Sequence, residues 1–386
     1  ILFVTKYFNF FGENINALFN ALHIPAQIPF LNIFLPLGIS FYTLSAISYV
    51  TDVARGVCKI ERNYLRLLLF LIFFPVITEG PISRYGQLGE ELKAEHRFDY
   101  KQFCFGAQLI TWGLFQKVLL SDRVNMYVRA IFANHERYSG LPVIMAILLY
   151  TFQLYMDFAG CINIARGSAQ LFGITLEENF KRPFFATSVN DFWRRWHISL
   201  GAWFRDYLYI PLGGSHVKPV RWIFNIFLVW MATGFWHGAA WNFILWGLMY
   251  AVLLLIEKAW LLPYLKKHKI VGHLHVLFFV LIGFVLFDAS SVADFWDCIV
   301  SMFGGGQIKP VTTESLYYLK SYAGIILTAV IGATPLPVRL YGRLQKKKGL
   351  KQTLDIAEIL LLVMLLLLCV AFLVDGSFNP FLYFRF

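Results

Sequence analysis

The chain has 386 residues, of which 58% are hydrophobic, 18% aromatic and 15% charged, and 34 Lys+Arg against 23 Asp+Glu leave a formal net charge of +11. Soluble domains average about 45–50% apolar and about 25% charged residues, so this apolar excess is more than a soluble fold can keep from water. Disorder, a secreted disulfide scaffold and an ordinary soluble enzyme are excluded, and a polytopic, all-α integral membrane protein remains.

A membrane span needs about 20 mostly apolar residues. In chain order the candidates are 29–50, 64–82, 102–120, 141–160, 220–236, 241–262, 270–288, 318–335 and 354–374. A shorter apolar run, 161–176, reads as a short or re-entrant segment. The runs at 220–236 and 241–262 are separated only by His237-Gly-Ala-Ala240 and predict a tight helical hairpin or one broken helix. Pro36, Gly38, Pro75, Gly80 and Pro81 fall inside spans and predict kinks, which are tolerated where neighbouring helices or water satisfy the freed backbone groups. One membrane domain over 1–386 is the simplest organisation, since no tandem repeat or linker is visible. The start at Ile1 shows no signal-peptide pattern and is read as a shortened N-terminus, whereas Phe381–Phe386 reads as a genuine end.

The basic balance follows from orientation. Arg55, Lys59, Arg62 and Arg66 form one basic loop. Lys266, Lys267 and Lys269 form a second, and Arg343, Lys346, Lys347, Lys348 and Lys351 a third. Membrane proteins collect such residues on the cytoplasmic side, against an anionic leaflet. The expected partner of this charge is therefore the lipid bilayer and not nucleic acid. The five cysteines contain no C-x-x-C pair and read as small buried hydrophobes.

Residues 191–208 are expected to form one helix lying in the membrane interface. At 100° per residue Phe192, Trp196, Leu200, Trp203 and Tyr207 share a face, Arg194 and Arg205 lie nearly opposite, and His197 sits at the edge of the apolar stripe.

Phosphate loops, dinucleotide fingerprints, H-E-x-x-H and G-x-S-x-G are absent. Chemistry must then be sought among polar residues in apolar sequence, where a titratable group is costly and by default a functional candidate. His237 lies in Thr233-Gly-Phe-Trp-His-Gly-Ala-Ala-Trp-Asn242, at the junction of two apolar runs. A neutral histidine is tolerated there and can take and return a proton near pH 7. Gly238, Ala239 and Ala240 leave space for a substrate, Trp236 and Trp241 can wall the site, and Asn242 can orient the imidazole or a carbonyl. The alternative is a structural histidine bonded to a neighbouring helix. Asp157 either pairs with an arginine such as Arg166 or lines a polar path, and Glu79 with Arg84 poses the same choice. His268, His273 and His275 read as solvated loop residues. His23, His96, His135 and His216 lack metal-ligand neighbours in the sequence, so no protein-bound metal is expected.

These residues resemble the membrane-bound O-acyltransferase (MBOAT) family. The similar branch is the bacterial one that includes the alginate O-acetyltransferase membrane subunit and the D-alanyl transfer protein of teichoic acid modification. The resemblance rests on Pro36-Leu-Gly-Ile-Ser-Phe-Tyr42 with Tyr49, Asp52 and Gly56, and on Phe74-Pro75, Gly80-Pro81-Ile82 and Arg84-Tyr85. It continues in Glu178-Asn-Phe180, Arg182-Pro-Phe184, Asp191–Leu200, Trp203–Gly214, Thr233–Asn242 and Asn379–Phe386. It implies a ring of kinked helices around a thin centre, with funnels from both faces. It also implies that His237 is the essential histidine and His197 the second family histidine, near the cytoplasmic entrance. Arg195 and the run from Asp206 to Gly214 are more similar to the polysaccharide O-acetyltransferase type than to the D-alanyl type. The family's Asp-Phe-Ser-Gly-Tyr-Ser-Asp is Asp157-Phe-Ala-Gly-Cys-Ile-Asn163 here, so only Asp157 carries over; Asp288 stands where an arginine is common, and about three N-terminal spans of the family have no counterpart.

The function so implied is acyl transfer, acetyl first, from a cytoplasmic thioester towards a cell-surface polysaccharide hydroxyl, in a multi-pass protein of the bacterial cytoplasmic membrane. His237 would be the general base, with His197 an orienting or donor-binding group on its surface helix. Arg194, Arg195 and Arg205 would hold the phosphates of coenzyme A or of a phosphopantetheine carrier by charge-assisted bonds. The donor is a substrate, and no bound cofactor is expected. Expected partners are an extracytoplasmic SGNH-type acetyltransferase or an acyl carrier protein. Two alternatives stand: D-alanyl transfer to teichoic acid, and a proton-coupled transporter using His237 and Asp157.

Overall fold

The computed structural model describes residues 2–134, 137–307, 309–347 and 349–375. His135, Lys348 and the Asn379–Phe386 run lie outside them. In chain order the helices are α1 (Phe8–Ala21), α2 (Ile39–Ala54), α3 (Tyr64–Ile72), α4 (Tyr100–Leu114), α5 (Asp122–Phe132), α6 (Leu141–Leu171), α7 (Val189–Trp193) and α8 (Ile198–Phe204). They continue with α9 (Pro219–His237), α10 (Trp241–Ile256), α11 (Leu262–Lys267), α12 (Lys269–Asp288), α13 (Val292–Met302), α14 (Thr313–Ala333), α15 (Leu336–Gln345) and α16 (Leu350–Val374). Among the described residues there is no sheet, only an isolated bridge between Phe180 and Trp196. Helix is the form that satisfies backbone polar groups without water. Among the described residues six helical stretches are long and apolar enough to cross a membrane: Tyr100–Phe132, Leu141–Leu171, Trp241–Lys267, Lys269–Asp288, Thr313–Ala333 and Leu350–Val374. The protein is a multi-pass, all-α membrane protein.

The helices group into two compact units, Ile1–Ala94 with Ala202–Val252, and Glu95–Gly201 with Leu253–Phe386. In the first unit two expected spans are shorter than predicted. Residues 24–36 are not helical, and α2 begins only after Gly38, whose φ is +73°. A Cβ on Gly38 would lie 1.9 Å from the Ile77 carbonyl oxygen. The extended stretch is held by α1: the Asn9 and Asn16 amides each exchange two bonds with the backbone of Leu31 and Ile28, at 2.7–2.9 Å. Likewise α3 stops at Ile72, three residues before Pro75, so 64–82 is half helix and half loop. The hairpin is present as expected. Helices α9 and α10 pack at glycines, where a Cβ on Gly234 would meet the Phe243 carbonyl at 2.1 Å and one on Gly247 the Trp230 carbonyl at 2.2 Å.

In the second unit α6 runs unbroken for 31 residues, so the separate segment expected at 161–176 does not exist. The small residues Ala159, Gly160, Ala165 and Gly167 let it continue under neighbouring backbones, and 72% of its apolar window is buried. Its partner is α4. Gly106 faces Gly167 and Gly113 faces Gly160, each one's missing Cβ falling 2.6–2.9 Å from the other's carbonyl oxygen. Such small-residue contacts let helix backbones approach where lipid removes the hydrophobic drive for association. Charge is also buried here. Lys117 Nζ lies 2.7 Å from Asp157 Oδ1 and 2.9 Å from Asp122 Oδ1, all three side chains 2% exposed. Ser121 Oγ donates to Asp157 at 3.2 Å. Of the two readings of Asp157, the ion pair is present but with Lys117 in place of Arg166, which bonds the Leu176 carbonyl and Glu178. The reason is reach: Lys117 sits on the wide turn Phe115–Ser121 between α4 and α5, facing α6.

Substituting Gly113→Leu or Gly160→Val should destabilise the second unit by about 1–3 kcal/mol or more through overpacking. Gly86→Ala, with no atom within 4 Å of the new Cβ, should change nothing. Thermal unfolding in detergent checks this; equal midpoints for the three variants would show that the α4–α6 contact is not tight.

Candidate active site

His237 is the last residue of α9 and is 8% exposed. Its ring meets the Trp236 ring edge-on at 4.9 Å and 72°, and the Trp246 ring at 5.3 Å and 83°. Trp246 follows Asn242 by one helical turn on α10, so the hairpin folds it back over the histidine. The second wall of the imidazole is thus Trp246 and not Trp241, which is 54% exposed and donates from its indole to Asn14 at 3.0 Å. Asn242 is buried beside the same junction. Gly238 does not leave open space either. A Cβ there would lie 2.1 Å from the Phe243 ring, so the glycine makes room for Phe243 and not for a substrate.

A residue that sequence reasoning missed supports this histidine. Lys6 Nζ donates to the carbonyls of Trp236 at 2.9 Å and His237 at 3.0 Å, and to Ser40 Oγ at 3.4 Å. Burial pulls its ammonium down to about 8, so it remains mostly charged at neutral pH. Its signal was a lone lysine in apolar and aromatic sequence, Phe3-Val-Thr-Lys6-Tyr-Phe8.

The block around 191–208 is not one helix. Helix α7 ends at Trp193, His197 has φ +46°, and α8 starts at Ile198. A non-glycine residue in the left-handed region is sterically costly, and a continuous helical projection does not survive it. The turn is over-determined by its neighbours. Asn179 accepts from Ile198 N through its carbonyl at 3.1 Å and from Ser199 N through Oδ1 at 2.9 Å. Glu257 accepts from Val189 N at 2.6 Å and Asn190 N at 3.1 Å, holding the start of α7, with Ser188 Oγ accepting from Asp191 N. His275 Nε2 meets Glu257 Oε1 at 3.1 Å, and His273 Nδ1 meets the Ala186 carbonyl at 2.9 Å. These two histidines are therefore part of the packed unit and not solvated. Glu257, after Leu253-Leu-Leu-Ile256, was visible as a carboxylate in apolar sequence; Asn179 lay in the Glu178-Asn-Phe180 run with no role attached to it.

His197 itself is 3% exposed, edge-on to Phe158 at 4.8 Å, and not at a surface stripe. Burial pushes its imidazole down to about 3. The inward placement of Trp196, Leu200 and Trp203 holds, each being buried. Trp196 lies among Tyr155, Phe180, Phe184, Phe192 and Phe284. Arg194 and Arg205 are exposed as expected. Arg195 pairs with Asp191 at 2.9 Å, and Arg205 with Asp206 at 2.7 Å. In the first unit Asp206 also binds Arg84 at 3.1 Å, and its carbonyl accepts from Arg55. The Arg84 guanidinium sits 4.4 Å over the Tyr207 ring, whose hydroxyl donates to Asp52 at 2.7 Å. Arg55 and Arg84 belong with Arg205, a grouping the sequence distance hid. Among the described residues no three His, Cys, Asp or Glu side chains gather as for a metal ion.

Comparison with known proteins bears on what this arrangement does. Residues 60–291 match the membrane-bound O-acyltransferase family. A protein of Azotobacter vinelandii named Probable alginate O-acetylase is 32% identical over 99% of this chain and 81% of its own length. The peptidoglycan O-acetyltransferase of Helicobacter pylori is 31% identical over 86% of this chain and 68% of its own length. The teichoic acid D-alanyltransferase of Bacillus subtilis is 32% identical over 66% and 69%. Acyl transfer, and not the transporter alternative, is the chemistry these relatives share. With its helical membrane architecture and its buried histidine at a hairpin junction, this chain belongs to the membrane-bound O-acyltransferase family and is a membrane O-acyltransferase.

Proposed function

We propose that the protein passes an acetyl group from a cytoplasmic thioester, acetyl-coenzyme A or an acyl-phosphopantetheine carrier, towards a cell-surface polysaccharide hydroxyl, with His237 as general base. The observation that carries this is the His237 imidazole, buried between Trp236 and Trp246 at the end of a helix. A neutral imidazole there takes the hydroxyl proton as the oxygen attacks the thioester carbonyl. The C–O bond forms, the C–S bond breaks, and the imidazolium returns its proton to the thiolate. Acetyl transfer is preferred to D-alanyl transfer because the alginate relative covers 99% of the chain and the D-alanyl relative 66%. Exposed Arg194 and Arg205 support charge-assisted contacts to donor phosphates; Arg195 and Arg205 would share those contacts with Asp191 and Asp206. The membrane is that of the bacterial cytoplasm, and an extracytoplasmic SGNH-type acetyltransferase or an acyl carrier protein completes the path. Asp157 is an ion-pair partner of Lys117.

His197 is not the base on this reading, because a histidine held near 3 stays neutral and binds protons poorly. Replacing His237 by Gln should lower turnover of a labelled acetyl thioester by about 10²–10⁴-fold. Undiminished turnover at equal protein level would remove the assignment.

His197→Gln has a different signature. The folded chain holds His197 near 3, against 6.5 for an ordinary histidine. Between these values the unfolded chain binds the additional proton, so the stability is fully present above 6.5 and declines as pH falls towards 3. The unfolding midpoint in detergent should therefore drop more steeply on acidification in the parent than in His197→Gln, by on the order of 2 kcal/mol near about pH 5. Parallel curves would mean that His197 is charged in the fold.

A further inference from the structure

The last carbonyls of a helix have no partner within the helix and must find one elsewhere. At the end of α9 Gly238 is extended, with φ −162° and ψ 153°, so no left-handed glycine cap forms. The Gly238 N–H reaches back only to Gly234, at 3.4 Å. The partner comes from 231 residues earlier in the chain: one ammonium binds the carbonyls of both Trp236 and His237, and a cation at a helix C-terminus also complements the helix dipole. Lys6 is anchored in turn. Its neighbour Tyr7 stacks on Phe235 at 4.3 Å, and Phe10 and Phe11 on the next turn contact the same ring.

We propose that Lys6 is a positioning residue for acyl transfer, capping α9 at the peptide units of Trp236 and His237 and so fixing the place of the His237 imidazole. This rests on the reading of His237 as the base. The two capped carbonyls belong to the histidine and to the tryptophan whose ring abuts it, so release of the cap frees the last turn of α9 and shifts the ring itself. A misplacement of about 1 Å can cost about 10²-fold in rate. Because Lys6 binds two backbone carbonyls of α9 and the Ser40 hydroxyl, the loss falls on turnover and not on donor binding.

The test uses the purified full chain with labelled acetyl-coenzyme A and an acetylated acyl carrier protein as thioester probes. Lys6→Met should lower kcat by about 10- to 100-fold with the donor KM within about twofold. Lys6→Arg, which keeps a cation, should recover most of the loss. An unchanged kcat in Lys6→Met, or equal impairment of both variants with unfolding midpoints intact, overturns the proposal. If Lys6→Met does not fold, Lys6→Gln replaces it. Its amide is shorter and uncharged, and severalfold lower kcat at unchanged KM is expected; an unchanged kcat overturns the proposal. His237→Gln is measured in parallel. Full turnover in that variant defeats the reading of the base whatever Lys6 does, whereas loss there with an unaffected Lys6→Met defeats only the role of Lys6.

Discussion

A backbone carbonyl or N–H in apolar surroundings has no water to turn to, and leaving one unpaired costs several kcal/mol in hydrocarbon. Continuous helix meets that constraint by itself. A break in a helix meets it only if a side chain from elsewhere arrives at the broken end. Three irregular places among the described residues are met in this way. Asn9 and Asn16 hold the extended stretch at Ile28 and Leu31. Lys6 holds the end of α9. Asn179 and Glu257 hold the turn that carries His197. His237 and His197 stand at two of these three breaks, one in each compact unit.

The same constraint explains why polar residues inside the second unit occur in groups. Removing one partner from a buried ion pair costs about 3–5 kcal/mol, because the other charge stays buried. Lys117 divides one cation between the Asp122 and Asp157 carboxylates, and the Ser121 hydroxyl donates a further bond to Asp157. Glu257 spends its two oxygens on two backbone N–H groups and a histidine. Asp157 is thereby paired within its own surroundings.

Glycine in this fold serves contact more than flexibility. Gly106, Gly113, Gly160 and Gly167 bring α4 and α6 together, and Gly234 and Gly247 close the hairpin. Gly238 admits the Phe243 ring next to His237. The His237 imidazole thus stands against the Trp236 and Trp246 rings, with Phe243 packed at the neighbouring glycine.

The amino-acid sequence by itself determined the membrane class, the helices α12, α14 and α16, the hairpin at 237–240 and the family, because long apolar runs and contiguous motifs are local properties. It also marked His237, since a lone histidine between two apolar runs needs no partner to be noticed. What only the tertiary structure decided are relations between distant residues. The periodicity of 191–208 reads as one helix, but long-range bonds from Asn179 and Glu257 hold a break at His197 and bury it. Asp157 could not be matched to Lys117, nor Trp246 chosen over Trp241, because side-chain partners depend on how helices turn and fold back. Lys6, separated from His237 by 231 residues, is the extreme case: nothing local records which helix end a buried ammonium will cap.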